Sequence, residues 1–252
     1  MNYTIDINTD IGEGFGRYTV ANDEKLLDIV SSVNVACGFH AGDPVIMNHT
    51  VKKAAQNGVA IGAHPGLADL IGFGRRKINV TMEEVTTNVL YQLGALNAFT
   101  KAHNTTLRHI SPHGQLGHYC VQDQDFAKAF MEAVKQFDAS IKIVALDGEL
   151  AEEAKKQGYN VVKQIFSDRA YNNDGTLVER SREGSVITNY DEMVSRTIQM
   201  IKEKTVRTID GKIIKMEGEI LCIHSDTANS DILAEQLKDE LVKNDITISP
   251  ST

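Results

Sequence analysis

The chain has no tryptophan, only four prolines and three cysteines in 252 residues, and its 26 lysines and arginines fall short of its 34 aspartates and glutamates. Each shortage removes a class of protein. A net charge of −8 repels nucleic-acid phosphates and anionic lipids, and no basic patch interleaved with aromatics offsets it, so neither nucleic acid nor membrane is expected as a partner. No apolar run approaches the roughly 20 residues of a membrane span, and no signal-like segment precedes Tyr3-Thr4-Ile5-Asp6-Ile7. A soluble, cytoplasmic protein is the expectation. Cys37, Cys120 and Cys222 are odd in number, far apart and in no Cys-x-x-Cys spacing, which argues against a disulfide framework or zinc knuckle and for buried, inert thiols. Phosphate loops are lacking too. No Gly-x-x-x-x-Gly-Lys-Ser/Thr occurs, and in Gly12-Glu13-Gly14-Phe15-Gly16 the third glycine comes one residue early for a dinucleotide fingerprint. Those glycines read as a sharp turn that presents Glu13.

What the chain does have is order in its polar residues. Strand-like runs at Tyr3–Ile7, Ser32–Ala36, Val59–Ala63, Thr106–Ile110, Val161–Phe166 and Glu219–Ile223 each lead into a polar cluster. The clusters are Asp6-Ile-Asn8-Thr-Asp10, Cys37-Gly-Phe-His40, Ala63-His64-Pro65, Ser111-Pro-His113-Gly114, Asp168-Arg169 and His224-Ser-Asp226. Parallel strands would bring all these ends to one face, where they can converge on one small molecule. The pattern is that of an enzyme.

Helix signals fill the intervals. Asp43-Pro44 starts a helix that stops at Asn57-Gly58, because Asp accepts from free backbone N–H groups and Pro lacks the one it cannot use. Thr81-Met-Glu-Glu84 is a capping box ahead of apolar positions Val85, Val89, Leu93, Leu96 and Phe99. Further helices are expected over 24–31, 125–136, 149–157, 190–204 and 232–242, and Ile141–Leu146 makes a seventh strand. Seven strands alternating with helices fit an α/β fold, an irregular TIM-like (β/α) barrel, with an open doubly wound sheet as the alternative. No linker interrupts the alternation, so residues 1–252 are read as a single domain.

The motifs Asp6-Ile-Asn-Thr-Asp-Ile-Gly-Glu-Gly-Phe-Gly16, Asn34-Val-Ala-Cys-Gly-Phe-His-Ala-Gly-Asp-Pro44, Gly62-Ala-His-Pro65, Asp69-Leu-Ile-Gly-Phe-Gly-Arg-Arg76, Pro112-His-Gly114 and Phe166-Ser-Asp-Arg-Ala-Tyr171 with Leu177, Val178 and Arg180, in this order, resemble the LamB/YcsF family, the A subunits of prokaryotic 5-oxoprolinase. The resemblance implies a barrel similar to the glycoside hydrolase and polysaccharide deacetylase barrels. It also implies ATP-dependent opening of 5-oxoproline to L-glutamate, with ATP as cosubstrate and B and C subunits as partners. Three positions depart from the family's pattern. Ser111 stands where a Lys is usual, Gln164 where an acidic residue is usual, and Ser225 where a Gly is usual. Lys and Glu paired across the site would explain a joint loss, since removing one alone strands a buried charge.

Hydrolysis of a lactam needs an activated carbonyl, a base for water, a proton donor for the leaving nitrogen and cations for developing negative charge. Asp10, His40 and His64 are assigned to water activation or to a divalent metal, His113 and Asp226 to proton transfer. Asn8, Glu13, Asp168 and His224 are placed against the substrate. Arg169, with Arg75 or Arg76, is assigned to the substrate carboxylate, which a guanidinium fork binds in two places. One Asp and two His are the donors of a metal site with an open position, an expectation resting on the likeness to deacetylases, since no local His spacing supports it. His49, His103, His109 and His118 are read as structural, Asp43 as a helix cap, Asp69 and Arg75 as a surface ion pair, and Asp6 as a backbone-bonded strand residue. Three functions stay open: the A subunit of 5-oxoprolinase, a hydrolase of another cyclic amide or sugar amide, and a non-catalytic small-molecule-binding subunit.

Overall fold

The structure, a computed structural model, describes residues 3–227 and 229–251. Strands β1 (Tyr3–Ile11), β2 (Ser32–Ala36), β3 (Ala60–His64), β4 (Leu107–Ile110), β5 (Lys142–Ala145) and β6 (Val161–Phe166) pair in parallel, each with the next. After a short antiparallel hairpin, β7 (Thr205–Arg207) with β8 (Ile213–Lys215), the chain enters β9 (Ile220–Ile223), which pairs in parallel with both β6 and β1. That double pairing closes a seven-strand barrel. A final strand, β10 (Ile246–Ile248), adds to the first half of β1. The open-sheet alternative is thereby excluded.

The helices lie outside the barrel and bury its strands on their outer face. All of β2 and all of β9 are buried, as parallel strands covered on both faces are. Helix α1 (Asp23–Leu26) is followed by α2 (Pro44–Asn57), where the Asp43 carboxylate accepts from the N–H groups of Val45 and Ile46 and Gly58 ends the helix at φ 70°. Helix α3 (Met82–Ala102) has both halves of its capping box and buries Val85, Val89, Leu93 and Leu96, each fully buried aliphatic side chain contributing about 1.5–3 kcal/mol. It also does something its periodicity conceals. Buried Gln92 donates to the Gly66 carbonyl and accepts from the Gly66 N–H, both at 2.9 Å, and so holds the turn just after β3. Helices α4 (Gly114–Gln122), α5 (Gln124–Phe137), α6 (Glu149–Lys156), α7 (Tyr190–Lys202) and α8 (Ser230–Lys243) complete the layer.

Several boundaries differ from expectation. Strand β1 continues past Ile7 to Ile11 because Asn8 and Asp10 point into a lumen that is polar at that level, which disguises them as loop residues. The helix expected over 24–31 shrinks to four residues. Ser31 is drawn away to β1 instead, its N–H donating to the Ile7 carbonyl and its hydroxyl to Asp6. Helix α4, the β7–β8 hairpin and β10 have no counterpart among the expected elements. Asp6 does bond backbone, accepting from the Ser251 N–H at 2.9 Å. Cys37, Cys120 and Cys222 are free and buried, and burial pushes the Cys37 thiol up to about 12.

Candidate active site

The C-terminal ends of β1, β3, β4, β5, β6 and β9, with the loops that follow, surround one half-open cavity of about 710 Å³. Asp10 comes from β1, His64 ends β3, Ser111 and His113 follow β4, Asp168 and Arg169 follow β6, and His224 and Asp226 follow β9. Asp10, His64, Arg75, Ser111, His113, Gln164, Arg169 and His224 line the cavity. Behind them the sharp turn at Gly12, φ 68°, delivers Glu13 into the protein, where it is 4% exposed. Loops also bring His40 in, fully buried, with its Nε2 3.1 Å from Glu13 Oε1.

Three imidazoles meet there. His40 and His113 stack with ring centres 3.7 Å apart, and His64 stands edge-on to both. Burial drives all three imidazoles toward the neutral form, well below the ordinary histidine value for His40 and His113. Backbone carbonyls then choose the tautomers. His64 Nδ1–H donates to Ser111 O at 2.7 Å, and His113 Nε2–H donates to Phe73 O at 2.8 Å. The remaining nitrogens, His64 Nε2 and His113 Nδ1, therefore face each other with bare lone pairs at 3.0 Å. Such a contact is repulsive unless something electron-deficient sits on it, which a shared proton or a metal ion would do. Carboxylates stand by: Asp10 Oδ1 is 3.4 Å from His64 Nε2, and Glu13 Oε1 is 3.6 Å from His113 Nδ1. Burial, then the Asp10 and Asp226 charges, raise Glu13 well above the usual carboxyl range.

One ligand atom from each of Glu13, His40, His64 and His113 falls within 4.8 Å of the others. The expected ligand trio of Asp10, His40 and His64 thus gives way to a set in which Glu13 and His113 join, while Asp10 borders it through His64. A donor set of three neutral imidazoles and a carboxylate, with two lone pairs already convergent, fits a divalent ion such as zinc.

The opposite wall is built from charges in pairs. His224 Nδ1 is 2.9 Å from Asp168 Oδ2, and its ring stacks on Phe166. Burial would raise the Asp168 carboxyl, but His224 outweighs it and holds the group below its usual value. Arg75 donates to Asp226 at 2.8 Å. Burial works the same way on Asp226 and is outweighed by Arg75. Arg169 spends two N–H groups on the carbonyls of Ser185 and Val178, and burial with nearby Arg180 lowers its guanidinium to about 10. Arg76 is not on the cavity wall: it turns outward to bond Asp69, so the expected Asp69–Arg75 pair is an Asp69–Arg76 pair. Asn8 does not border the cavity either, its amide donating to Ser32 Oγ inside the barrel.

The LamB/YcsF family model matches residues 5–252. The chain belongs to that family. A protein from Fusobacterium nucleatum, named as the A subunit of 5-oxoprolinase, is 43% identical over 249 residues, covering 98% of this chain and 97% of the relative. A crystal structure of the lactam utilization protein from Thermus thermophilus superposes with a TM-score of 0.92 at 40% identity, covering 98% of this chain and 99% of that one. A structure described as T48 deacetylase with substrate has a TM-score of 0.50 at 13% identity, covering 98% of this chain and 87% of that one, a likeness of fold alone. Within this family frame the departures at Ser111 and Gln164 turn out to be neighbours on the cavity wall, Ser111 Oγ lying 3.5 Å from Gln164 Oε1. Ser225, the third departure, donates to Glu13 Oε2 at 3.4 Å.

The sequence reading gives Asn34, Phe73 and Arg180 no role in the site and takes His109 as structural. Phe73 acts through a carbonyl that no side-chain pattern reveals. Arg180 lines the cavity 3.9 Å from Asp226. Asn34 and His109 carry a visible signal, since each is a polar residue within a strand, in barrel register with Asp10.

Proposed function

We propose that this chain is the A subunit of a 5-oxoprolinase, opening the lactam of 5-oxoproline to L-glutamate in the cytoplasm at the expense of ATP, together with B and C subunits. The observation that carries the reading is the pair of lone pairs on His64 Nε2 and His113 Nδ1, which abut Asp10 at the cavity and are built to hold or take a proton. The names of the relatives supply the substrate. With no phosphate-binding loop of its own, the chain depends on its partners for nucleotide, which would place a phosphoryl group on the lactam oxygen and make the ring carbon electrophilic.

In this mechanism, water enters beside His64 and gives up its proton to the imidazole pair as its oxygen bonds the ring carbon. The added hydroxyl then loses its proton, the carbonyl re-forms and the C–N bond breaks, the nitrogen taking a proton from Nε2 of His224 in its imidazolium form, whose Nδ1–H stays on Asp168. A second water hydrolyses the acyl phosphate so formed, releasing inorganic phosphate and leaving L-glutamate. Arg169 and Arg75 bind the substrate carboxylate. A divalent ion held by Glu13, His40, His64 and His113 would add Lewis-acid polarisation and a lowered water pKa.

The neutral Ser111–Gln164 contact supports a second reading, a related cyclic amide or sugar amide as substrate, because the cavity wall is uncharged where the family resemblance implies a lysine and an acidic residue. Reconstitution distinguishes the readings. Glutamate should form from 5-oxoproline and ATP only when B and C subunits are added, and His64→Ala should abolish it in a protein that still folds. Ser111→Lys with Gln164→Glu should raise a residual rate. Turnover of other lactams but not 5-oxoproline moves the assignment to the second reading, and binding without any turnover moves it to a non-catalytic subunit. Metal analysis of unchelated protein tests the ion separately.

A further inference from the structure

We propose that His109 is a positioning residue of this site: acting through Asn34, it fixes the Asp10 carboxylate against His64. This rests on the reading of Asp10 and His64 as the reacting pair.

Asp10, Asn34, Gly62 and His109 are direct neighbours across β1, β2, β3 and β4, one layer of the barrel. In that layer the third position is empty of side chain. A Cβ on Gly62 would lie 2.0 Å from His109 Nε2, so the imidazole lies across β3 in the space glycine leaves and reaches β2. There His109 Nε2 is 2.7 Å from Asn34 Oδ1.

The direction of these bonds is forced. Asn34 Nδ2 is 2.9 Å from Asp10 Oδ1 and 2.7 Å from Asn8 Oδ1, both acceptors, so the amide must turn its NH2 toward them. Its Oδ1, which accepts a long bond from Asn8 Nδ2 at 3.4 Å, then lies 2.7 Å from His109 Nε2, a contact that an oxygen tolerates only from a donor, which makes His109 the Nε2–H tautomer. Were the amide reversed, its oxygen would meet the carboxylate oxygen of Asp10. The asparagine is thus held from both sides: His109 orients it, and it directs one N–H to the Asp10 oxygen that stands 3.4 Å from His64 Nε2.

The arrangement is unfavourable for folding alone. His109 is fully buried, and its Nδ1 has no hydrogen-bond partner among the described residues. A leucine or phenylalanine would occupy the space without stranding a polar atom. Local rules broken inside a well-formed core mark functional positions, and the bond to Asn34 is what the imidazole does that a hydrocarbon cannot.

His109→Gln keeps a side-chain N–H for Asn34, whereas His109→Leu removes it. In the reconstituted complex His109→Leu should lower kcat by about 10–100-fold, the usual cost of releasing an outer-shell partner, with KM changed less than about twofold, and His109→Gln should recover most of the loss. A crystal structure of the leucine variant should show the Asn34 amide rotated and the Asp10–His64 contact lengthened. Two further measurements need neither turnover nor the leucine variant to fold. Long-range 1H–15N NMR of the wild-type chain, assigned with His109→Gln, should report the Nε2–H tautomer. A crystal structure of His109→Gln should keep Asn34 in place. An Nδ1–H tautomer, unchanged kcat in His109→Leu, or equal losses in both variants would overturn the proposal. A complex that turns over no lactam would count against the proposed function while leaving the tautomer and structural tests of His109 standing.

Discussion

Acid should unfold the wild type ahead of a variant that lacks the His109 imidazole, and the size of the difference follows from one group. Burial first, then the nearby His64 and Lys142 charges, lower His109 from 6.5 to about 3. In the native protein it is neutral across the range where the unfolded chain takes up a proton. The folded value lies below the unfolded one, so stability is unaffected above pH 6.5 and is lost as pH falls from 6.5 toward 3. Each pH unit is worth about 1.4 kcal/mol, so at pH 4.5 the imidazole costs wild type about 2.7 kcal/mol relative to neutral pH. The other groups whose values the fold shifts, Glu13, His40, His64 and His113 among them, occur in both proteins and cancel in the comparison. His109→Gln should therefore gain about 2.7 kcal/mol on wild type between about pH 7.5 and about pH 4.5, whatever their difference at the upper end. For a chain of this length that is about 5–10 °C in relative Tm. Urea melts at several pH values across that range measure it directly. Parallel pH profiles for the two proteins would refute the reasoning, because they would mean that His109 is protonated, or reaches water, in the native state.

Two other outcomes test the surrounding frame. Native protein at about pH 8 should resist alkylation by iodoacetamide at Cys37, whose thiol burial holds near 12, and at Cys222, which burial also raises; mass spectrometry showing ready modification of either would contradict their placement in the barrel wall. Thr81→Ala breaks the reciprocal cap of α3 and should cost about 1 kcal/mol, or about 2–4 °C in Tm, without changing turnover, as calorimetry beside a rate assay would show.

Much of this architecture can be read from the sequence because its signals are local. A run such as Val161–Phe166 followed by Asp168-Arg169 carries both the strand and the site residue at its end, and Asp43-Pro44 and Thr81-Met-Glu-Glu84 state their helix starts within a few residues. What escapes depends on closure. Asn8 and Asp10 interrupt an apolar run only because the lumen they face is polar, which is a property of the barrel and not of β1. Glycines at 114 and 117 hide α4 by lowering its apparent helix propensity. The tautomers of His64 and His113 are set by the carbonyls of Ser111 and Phe73, and no side-chain pattern encodes where a carbonyl will point. His109 reads as structural because it precedes its strand end, yet an inward polar residue in register with Asp10 is the clue to its place.

The way β1 finds its neighbours bears on how the chain is made. Its partners on one side, β9 and β10, are synthesised last, and the Thr9 hydroxyl donates to the Ile223 carbonyl across a separation of 214 residues. A ribosome releasing this protein would first expose β1 through β6 as an incomplete sheet with two raw parallel edges, the kind of edge that recruits strands from other molecules. Asp6 waits as well, since one of its hydrogen-bond donors is the Ser251 N–H. Chaperone demand during translation should therefore be set by the time needed to reach β9 and not by the strength of any early helix, and slowing synthesis just upstream of that strand would prolong the aggregation-prone interval.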